Sequence, residues 1–355
     1  MVLRYQYQVV SLAGYDLTLD VLFVGSVAGV LIVRRLDRPG ARGALLRLTF
    51  VVVITMLALV GAEYAARFAF RNVTSSGNAT DFIAGHGRAP LYANNSLGFR
   101  EREIPPKQSD RYRIAVVGDS FTWGQGVEAS ERFSNLVESF LGPKYEVFNF
   151  GVPGNDMPEH VDVLGRALPT SPDFVLLQIY INDFETGRMK RPQPYPLLPR
   201  ATDRDLRRRF LIYDLLSKQW ATFQEAVGIV ESYPVYMARN LLDPNAPNAI
   251  DGSAMLHRFI DKARGSGVPI GIVIFPAYDA MGANGSHYPF GYLHERIKTV
   301  CAEQKIPCLD LLPMFSKVVN PRSLWVTPFD AHPNAATHRR AGLEIVTAFG
   351  SAWHR

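Results

Sequence analysis

The sequence predicts an α/β domain built on a parallel sheet and preceded by membrane-spanning helices. Three observations lead there. Short β-rich apolar runs alternate with helical periods from residue 112 onward, two long apolar stretches precede them, and an arginine-rich segment separates those stretches. With 47% hydrophobic and 20% charged residues and a mean hydropathy of zero, the 355-residue chain is too apolar for a disordered polypeptide. It is also too charged for a polytopic membrane bundle. The 24 prolines and 28 glycines follow no fixed period, which excludes collagen-like and simple repeat architectures.

The first apolar stretch covers about 9–33, with Asp16 and Asp20 toward one end; the second covers about 44–62 and reads LTFVVVITMLALVGA from Leu48 to Ala62. Each is close to the ~20 residues that a helix needs to cross a bilayer. Between them Arg34, Arg35, Arg38, Arg42 and Arg47 face only Asp37. Short arginine-rich loops stay on the cytoplasmic side. Residues 1–70 are therefore expected to form a two-helix anchor in the cytoplasmic (inner) membrane, with the rest facing the periplasm or cell exterior. Two buried core helices of a soluble protein would leave the arginines at their turn without a purpose. Residues 71–110, rich in Asn, Ser, Gly and Pro, read as a polar linker.

From 111 to 355 the rhythm is that of one domain. YRIAVVG is a first strand and 128–141 a helix; YEVFNFG is a second strand and 156–168 a second helix; DFVLLQIY is a third strand. About 185–250 is a helical, basic insertion. Then 251–265 is helical, VPIGIVIF a fourth strand, 291–304 helical, IPCLDLL a fifth strand, and 334–349 the last helix. Near-continuous Val/Ile/Leu/Phe runs suit strands buried on both faces. Strands alternating with helices imply right-handed crossovers covering a parallel sheet.

Ligands of such sheets bind beyond the carboxyl ends of the strands, so the residues there matter most. They are GDSFTWG around Ser120, NFGVPGN around Gly154, IND around Asn182, PAYD at 276–279, and PFDAHPN around Asp330 and His332. Together they supply the parts of acyl transfer. Ser120 is the candidate nucleophile, on a turn that Gly118 keeps tight. His332 is the base that a serine hydroxyl needs at neutral pH, and Asp330 is the group that orients and stabilises its ring. The backbone N–H groups of Ser120 and Gly154 and the side-chain amide of Asn182 are candidate oxyanion donors. A side chain at 154 is expected to crowd the oxyanion. No His/Cys/Asp cluster has metal-site spacing and no P-loop is present, so neither metal nor cofactor is expected.

These residues resemble the four blocks of the SGNH (GDSL-type) hydrolases: GDSFTWG, the glycine of GVPGN, the asparagine of YIND, and the Asp/His of DAHPN. The resemblance covers roughly 112–349, and LYANNSLGFRERE (91–103) resembles the lead-in of membrane-anchored bacterial members. It implies a flavodoxin-like three-layer α/β/α sandwich and assigns Ser120, Gly154, Asn182 and His332 to the name-giving positions, with Asp330 as the acid. Two features depart from the pattern. Tyr180 stands where the third block commonly has glycine, and Asp330 precedes His332 by two residues rather than three. The shorter spacing resembles alginate-acetyltransferase-like members and leaves open whether Asp330 or a backbone carbonyl orients the ring.

The resulting expectation is a membrane-anchored serine esterase acting on an acyl ester of a lipid or an acylated glycan. One alternative is an O-acyltransferase or deacetylase of an envelope polysaccharide, which as a transferase would need a partner supplying the acyl donor. Another is a non-catalytic envelope assembly protein with a relict site. His338 is the competing histidine, expected on the surface of the last helix. Cys301 and Cys308, on adjacent elements, are read equally as a disulfide or as two small apolar residues. The insertion holds Arg188, Lys190, Arg191, Arg200, Arg204 and Arg207–Arg209, which suit a solvated face, anionic lipid headgroups or an acidic polysaccharide. Without a recognised nucleic-acid module, DNA and RNA are not expected partners. The insertion's aromatics (Phe210, Tyr213, Trp220, Phe223, Tyr233 and Tyr236) suit either an acyl or glycan groove over the site or the core of a small helical lid, and the lid core is the favoured expectation.

Overall fold

The computed structural model describes residues 41–69, 94–185, 189, 191–282, 287–327 and 330–353. The first expected membrane helix (9–33), Arg34, Arg35, Arg38 and most of the linker lie outside these residues. In chain order the described elements are α1 (Ala41–Ala69), β1 (Tyr112–Gly118), α2 (Ser120–Trp123), α3 (Phe133–Leu141), β2 (Tyr145–Gly151), α4 (Met157–Ala167), β3 (Phe174–Ile179), α5 (Arg200–Arg209), α6 (Leu211–Ala226), α7 (Tyr233–Leu241), α8 (Pro247–Gly265), β4 (Ile270–Ile274), α9 (Gly291–Glu303), β5 (Cys308–Asp310), α10 (Leu312–Phe315), β6 (Trp325–Thr327), β7 (Asp330–Pro333) and α11 (Ala335–Trp353).

These elements group into two units. One is the chain up to residue 91 together with 194–227; the other is 92–193 together with 228–355. The insertion expected at 185–250 is thus divided, its helices α5 and α6 grouping with α1. Its aromatics do not form one lid core: Tyr236 is buried in the α/β unit, whereas Phe223 of the other unit is exposed.

In the α/β unit the five main strands run parallel in the order β2-β1-β3-β4-β5. This is the flavodoxin-like order, with its topological switch point between β1 and β3. The period-two alternation of each strand divides the core. Ala115, Val117, Leu177 and Ile272 face a layer with Leu164 of α4, Phe259 of α8 and Ile297 of α9. Ile114, Val116, Leu176 and Val273 face the opposite layer, with Val137 of α3 and Phe349 and Trp353 of α11. Every residue of β3 and β4 is buried, which is why those segments are apolar apart from Gln178, whose Oε1 accepts from the Thr122 hydroxyl at 2.8 Å.

Two local expectations change. His338 is fully buried rather than on the surface; its Nδ1 accepts the Phe133 N–H at 3.3 Å, and burial pushes its pKa down to about 3, so the ring is a neutral core group. The last part of the expected linker is not a tether either. Phe99 and Arg100 are buried, and Phe99 meets Phe150 edge-on with ring centroids 5.0 Å apart. Cys301 and Cys308 are free thiols.

Candidate active site

The site begins with a tight corner. β1 ends at Gly118 and α2 starts two residues later, with Asp119 as its N-cap; the Asp119 Oδ1 accepts the Phe121 N–H at 2.9 Å. A Cβ on Gly118 would collide with Thr122 Oγ1 and Gln178 Oε1, so only glycine lets the chain turn this closely over β3. The turn leaves Ser120 at the carboxyl edge of the sheet, beside the switch point. At the other end of α2, Arg100 reaches in from the lead-in segment. Its Nη1 donates to the carbonyls of Trp123 (3.2 Å) and Gly124 (2.9 Å), and its Nη2 donates to that of Val127 (2.8 Å). A second buried arginine, Arg132, donates to the Arg100 carbonyl at 2.6 Å. The carbonyls of Trp123 and of the C-cap Gly124, which α2 cannot pair within itself, are thereby satisfied.

His332 arrives from β7, which pairs antiparallel with β6. Side chains two residues apart on a strand share a face, so Asp330 and His332 project together. Asp330 Oδ1 lies 2.5 Å from His332 Nδ1, and His332 Nε2 lies 2.8 Å from Ser120 Oγ. A carboxylate, not a backbone carbonyl, sits against the ring. This arrangement suits the tautomer with the proton on Nδ1, leaving Nε2 to accept from the serine hydroxyl. Burial pulls the imidazole pKa down, but the Asp330 carboxylate, aided by Asp119 and Asp279, outweighs it and holds the pKa above the ordinary histidine value. Asn334, just beyond, caps α11 by accepting the Thr337 N–H at 3.0 Å.

Gly154 and Asn182 follow β2 and β3, the two strands that flank β1, and so stand on either side of Ser120. Gly154 has φ +79° and a Cβ there would meet no protein atom within 4 Å. Within the protein its glycine therefore answers to backbone conformation rather than to crowding. Asn182 sits in the 3-10 turn Ile181–Phe184, where its backbone carbonyl accepts the Glu185 N–H at 2.8 Å. Tyr180, in place of the commoner glycine, stacks on Phe121 with centroids 4.5 Å apart.

The structure adds a pair that sequence reasoning passed over. His160 Nε2 of α4 lies 3.1 Å from Asp183 Oδ1, and Asp183 Oδ2 accepts the Tyr180 N–H at 2.9 Å. Both side chains are fully buried. The pair ties the helix that follows the Gly154 loop to the turn that carries Asn182. Asp119 lies close by, its pKa pushed up to about 7 by burial and by the Asp183 charge. The only advance sign of the pair was Asp183 itself, which by sequence reads as a strand-ending turn residue; nothing marked His160 among the polar positions of its helix.

A parallel sheet in this order, with a serine, a histidine and a carboxylate hydrogen-bonded in series at its carboxyl edge, has the make-up of an α/β ester-bond hydrolase. The chain belongs to the GDSL-like lipase/acylhydrolase family, whose model matches residues 116–340, and is an enzyme of that hydrolytic class. No curated protein sequence matches it significantly. Similar solved structures include a lipolytic G-D-S-L family protein from Veillonella parvula (13% identity, TM-score 0.42, 67% of this chain and 98% of that one). The M. smegmatis aryl esterase (14%, 0.41, 68% and 99%) and a carbohydrate acetylesterase family member from Sinorhizobium meliloti (16%, 0.39, 67% and 99%) are also similar.

Proposed function

We propose that this protein is a membrane-anchored serine esterase that cleaves acyl esters through a covalent intermediate on Ser120. The hydrogen-bonded series Ser120–His332–Asp330 carries the reading. Ser120 Oγ attacks the acyl carbon while its proton passes to His332 Nε2. Asp330 stabilises the resulting imidazolium. The oxyanion of the tetrahedral intermediate is held by the N–H groups of Ser120 and Gly154 and by the Asn182 amide. Collapse of the intermediate breaks the ester C–O bond, and His332 returns the proton to the departing alcohol. Water then attacks the acyl-enzyme with His332 again as base, releasing the acid and restoring Ser120. The substrate is an acyl ester of a lipid or an acylated glycan, reached on the outer side of the membrane.

Anchoring is supported by α1. Its Leu48–Ala65 window has a mean hydropathy of 2.0, and Leu48, Phe50, Val51, Val52, Ile54 and Leu59 are exposed, which a core helix of a soluble protein avoids. The preceding arginines support a cytoplasmic start and an exported catalytic unit. A fluorophosphonate probe should label the wild type and not Ser120→Ala; an unlabelled wild type would overturn the catalytic reading. A reporter fused after residue 75 should be active outside the cytoplasm, and a cytoplasmic signal would reverse the orientation.

A further inference from the structure

Helix α6 is built inside out for a helix in water. Its buried positions include Asp214 (1% exposed) and Gln224 (0%), while Leu216 (52%), Phe223 (50%) and Val227 (52%), just past its end, are exposed. The spacing 216, 220, 223, 227 places these three and Trp220, which stacks on Phe223 at 5.5 Å, along one stripe. The polar interior is well satisfied. Asp214 pairs with Arg207 (3.0 Å) and Lys218 (2.8 Å), and the Gln224 side chain bonds the backbone N–H and carbonyl of Tyr195, each at 2.9 Å. Exposing apolar groups to water is unfavourable at roughly 25 cal/mol per Å², so the outer face of α6 suits an apolar surrounding.

The same unit shows which surrounding. Glu63 of α1 is buried and accepts the N–H groups of Leu211 and Ile212, each at 2.9 Å, so the spanning helix caps the first turn of α6. Glu63 stands two residues inside the end of the Leu48–Ala65 span, roughly 3 Å along the axis. Deeper in the span, Met56, Leu59 and Val60 line a groove with Phe210, Ile212 and Leu216. The start of α6 is therefore held at the level where the apolar span ends. Directly before it, α5 carries five arginines against two aspartates, with Arg200, Arg204 and Arg209 exposed. An apolar stripe, a tryptophan and neighbouring arginines at the end of a span match the layers of a bilayer surface.

We propose that α5 and α6 form an interfacial membrane-docking element, with the Leu216–Phe223–Val227 stripe seated among phospholipid acyl chains and the α5 arginines at the headgroups. The inference rests on the anchoring of α1 proposed above, and its test separates the two. Full-length protein with Cys308→Ser (Cys301 is buried) is placed in phospholipid nanodiscs and labelled with a fluorophore at Val52→Cys, Leu216→Cys, Phe223→Cys or Asp261→Cys, the last an exposed position of the α/β unit. Lipids brominated on their acyl chains then report contact by quenching. Labels at 216 and 223 should lose fluorescence comparably to the label at 52, while the label at 261 should not. Quenching at 52 alone would leave the anchor standing and overturn the docking of α6. If the labels at 216 and 223 are shielded from both brominated lipid and aqueous iodide, a second copy or another chain segment covers the stripe, and the proposal fails. Absence of quenching at 52 would remove the anchor reading and this inference with it.

Discussion

His160 on α4 and Asp183 on the Asn182 turn meet at 3.1 Å with neither side chain reached by water, so one buried pair ties the helix after the Gly154 loop to the turn that carries Asn182. Burial raises the Asp183 pKa even against the pull of His160. Burial would lower that of His160, yet Asp183, with Asp119 and Asp156 nearby, leaves it raised. Each partner thus favours the charged form of the other against a burial that opposes both charges. His160→Ala strands a buried carboxylate, and breaking such a pair typically costs about 3–5 kcal/mol. Urea unfolding should show a loss of that order together with a lower kcat; a change below about 1 kcal/mol would mean that Asp183 has another partner.

Asn182 offers an amide that no backbone change would replace. Removing one oxyanion donor typically lowers kcat by ~10²–10³, so Asn182→Ala should do so with KM little affected. Steady-state kinetics on a simple aryl ester tests this, and turnover within a few-fold of wild type would withdraw Asn182 from the oxyanion hole.

The pH dependence follows from Asp330. His332 must be neutral to accept the Ser120 proton, and its raised pKa keeps the ring protonated to higher pH. The acid limb of kcat/KM should consequently lie above the ordinary histidine value of 6.5. Asp330→Asn removes the carboxylate charge, so the limb should move to lower pH while kcat falls, by as much as ~10⁴ where the tautomer is also lost. An unmoved limb would show that another group sets the ionisation.

Arg100 makes three charged hydrogen bonds to carbonyls at and just beyond the end of α2, the helix that begins at Ser120, from outside the family-matched segment. Such bonds contribute about 1.5–3 kcal/mol, so Arg100→Ala should lower stability by at least that amount. Lysine lacks the planar fork that serves three carbonyls, so Arg100→Lys should recover only part of it. Thermal unfolding decides: equal melting temperatures for wild type and Arg100→Ala would make the lead-in dispensable.

Much of this was open to inspection in the chain itself. Near-continuous apolar runs such as FVLLQI and IGIVI mark strands buried on both faces, and their alternation with helices implies a parallel sheet. The glycine before Asp119-Ser120 and the polar clusters after each strand follow from where such sheets place their ligand edge. The divided insertion was not open in this way, because composition shows that residues are basic or aromatic without showing which elements they pack against. Nor was the role of the lead-in, since Arg100 reads as one more charge in a polar segment until three carbonyls are brought to it.

The two histidines show the boundary most directly. By sequence His332 and His338 lie six residues apart, and the residue types of acyl transfer were all present around the first. Local pattern determined the strands, their parallel sense, the ligand edge and the candidate nucleophile, because periodicity and turn chemistry act between near neighbours. Tertiary structure decided the rest. The extended backbone of β7 puts Asp330 and His332 on one face, so a two-residue spacing delivers the carboxylate to Nδ1. The turn into α11 sends His338 into the core beneath Phe133. The outward face of α6 belongs to the same category, since whether an apolar stripe points inward or outward depends on what the fold sets against its other side.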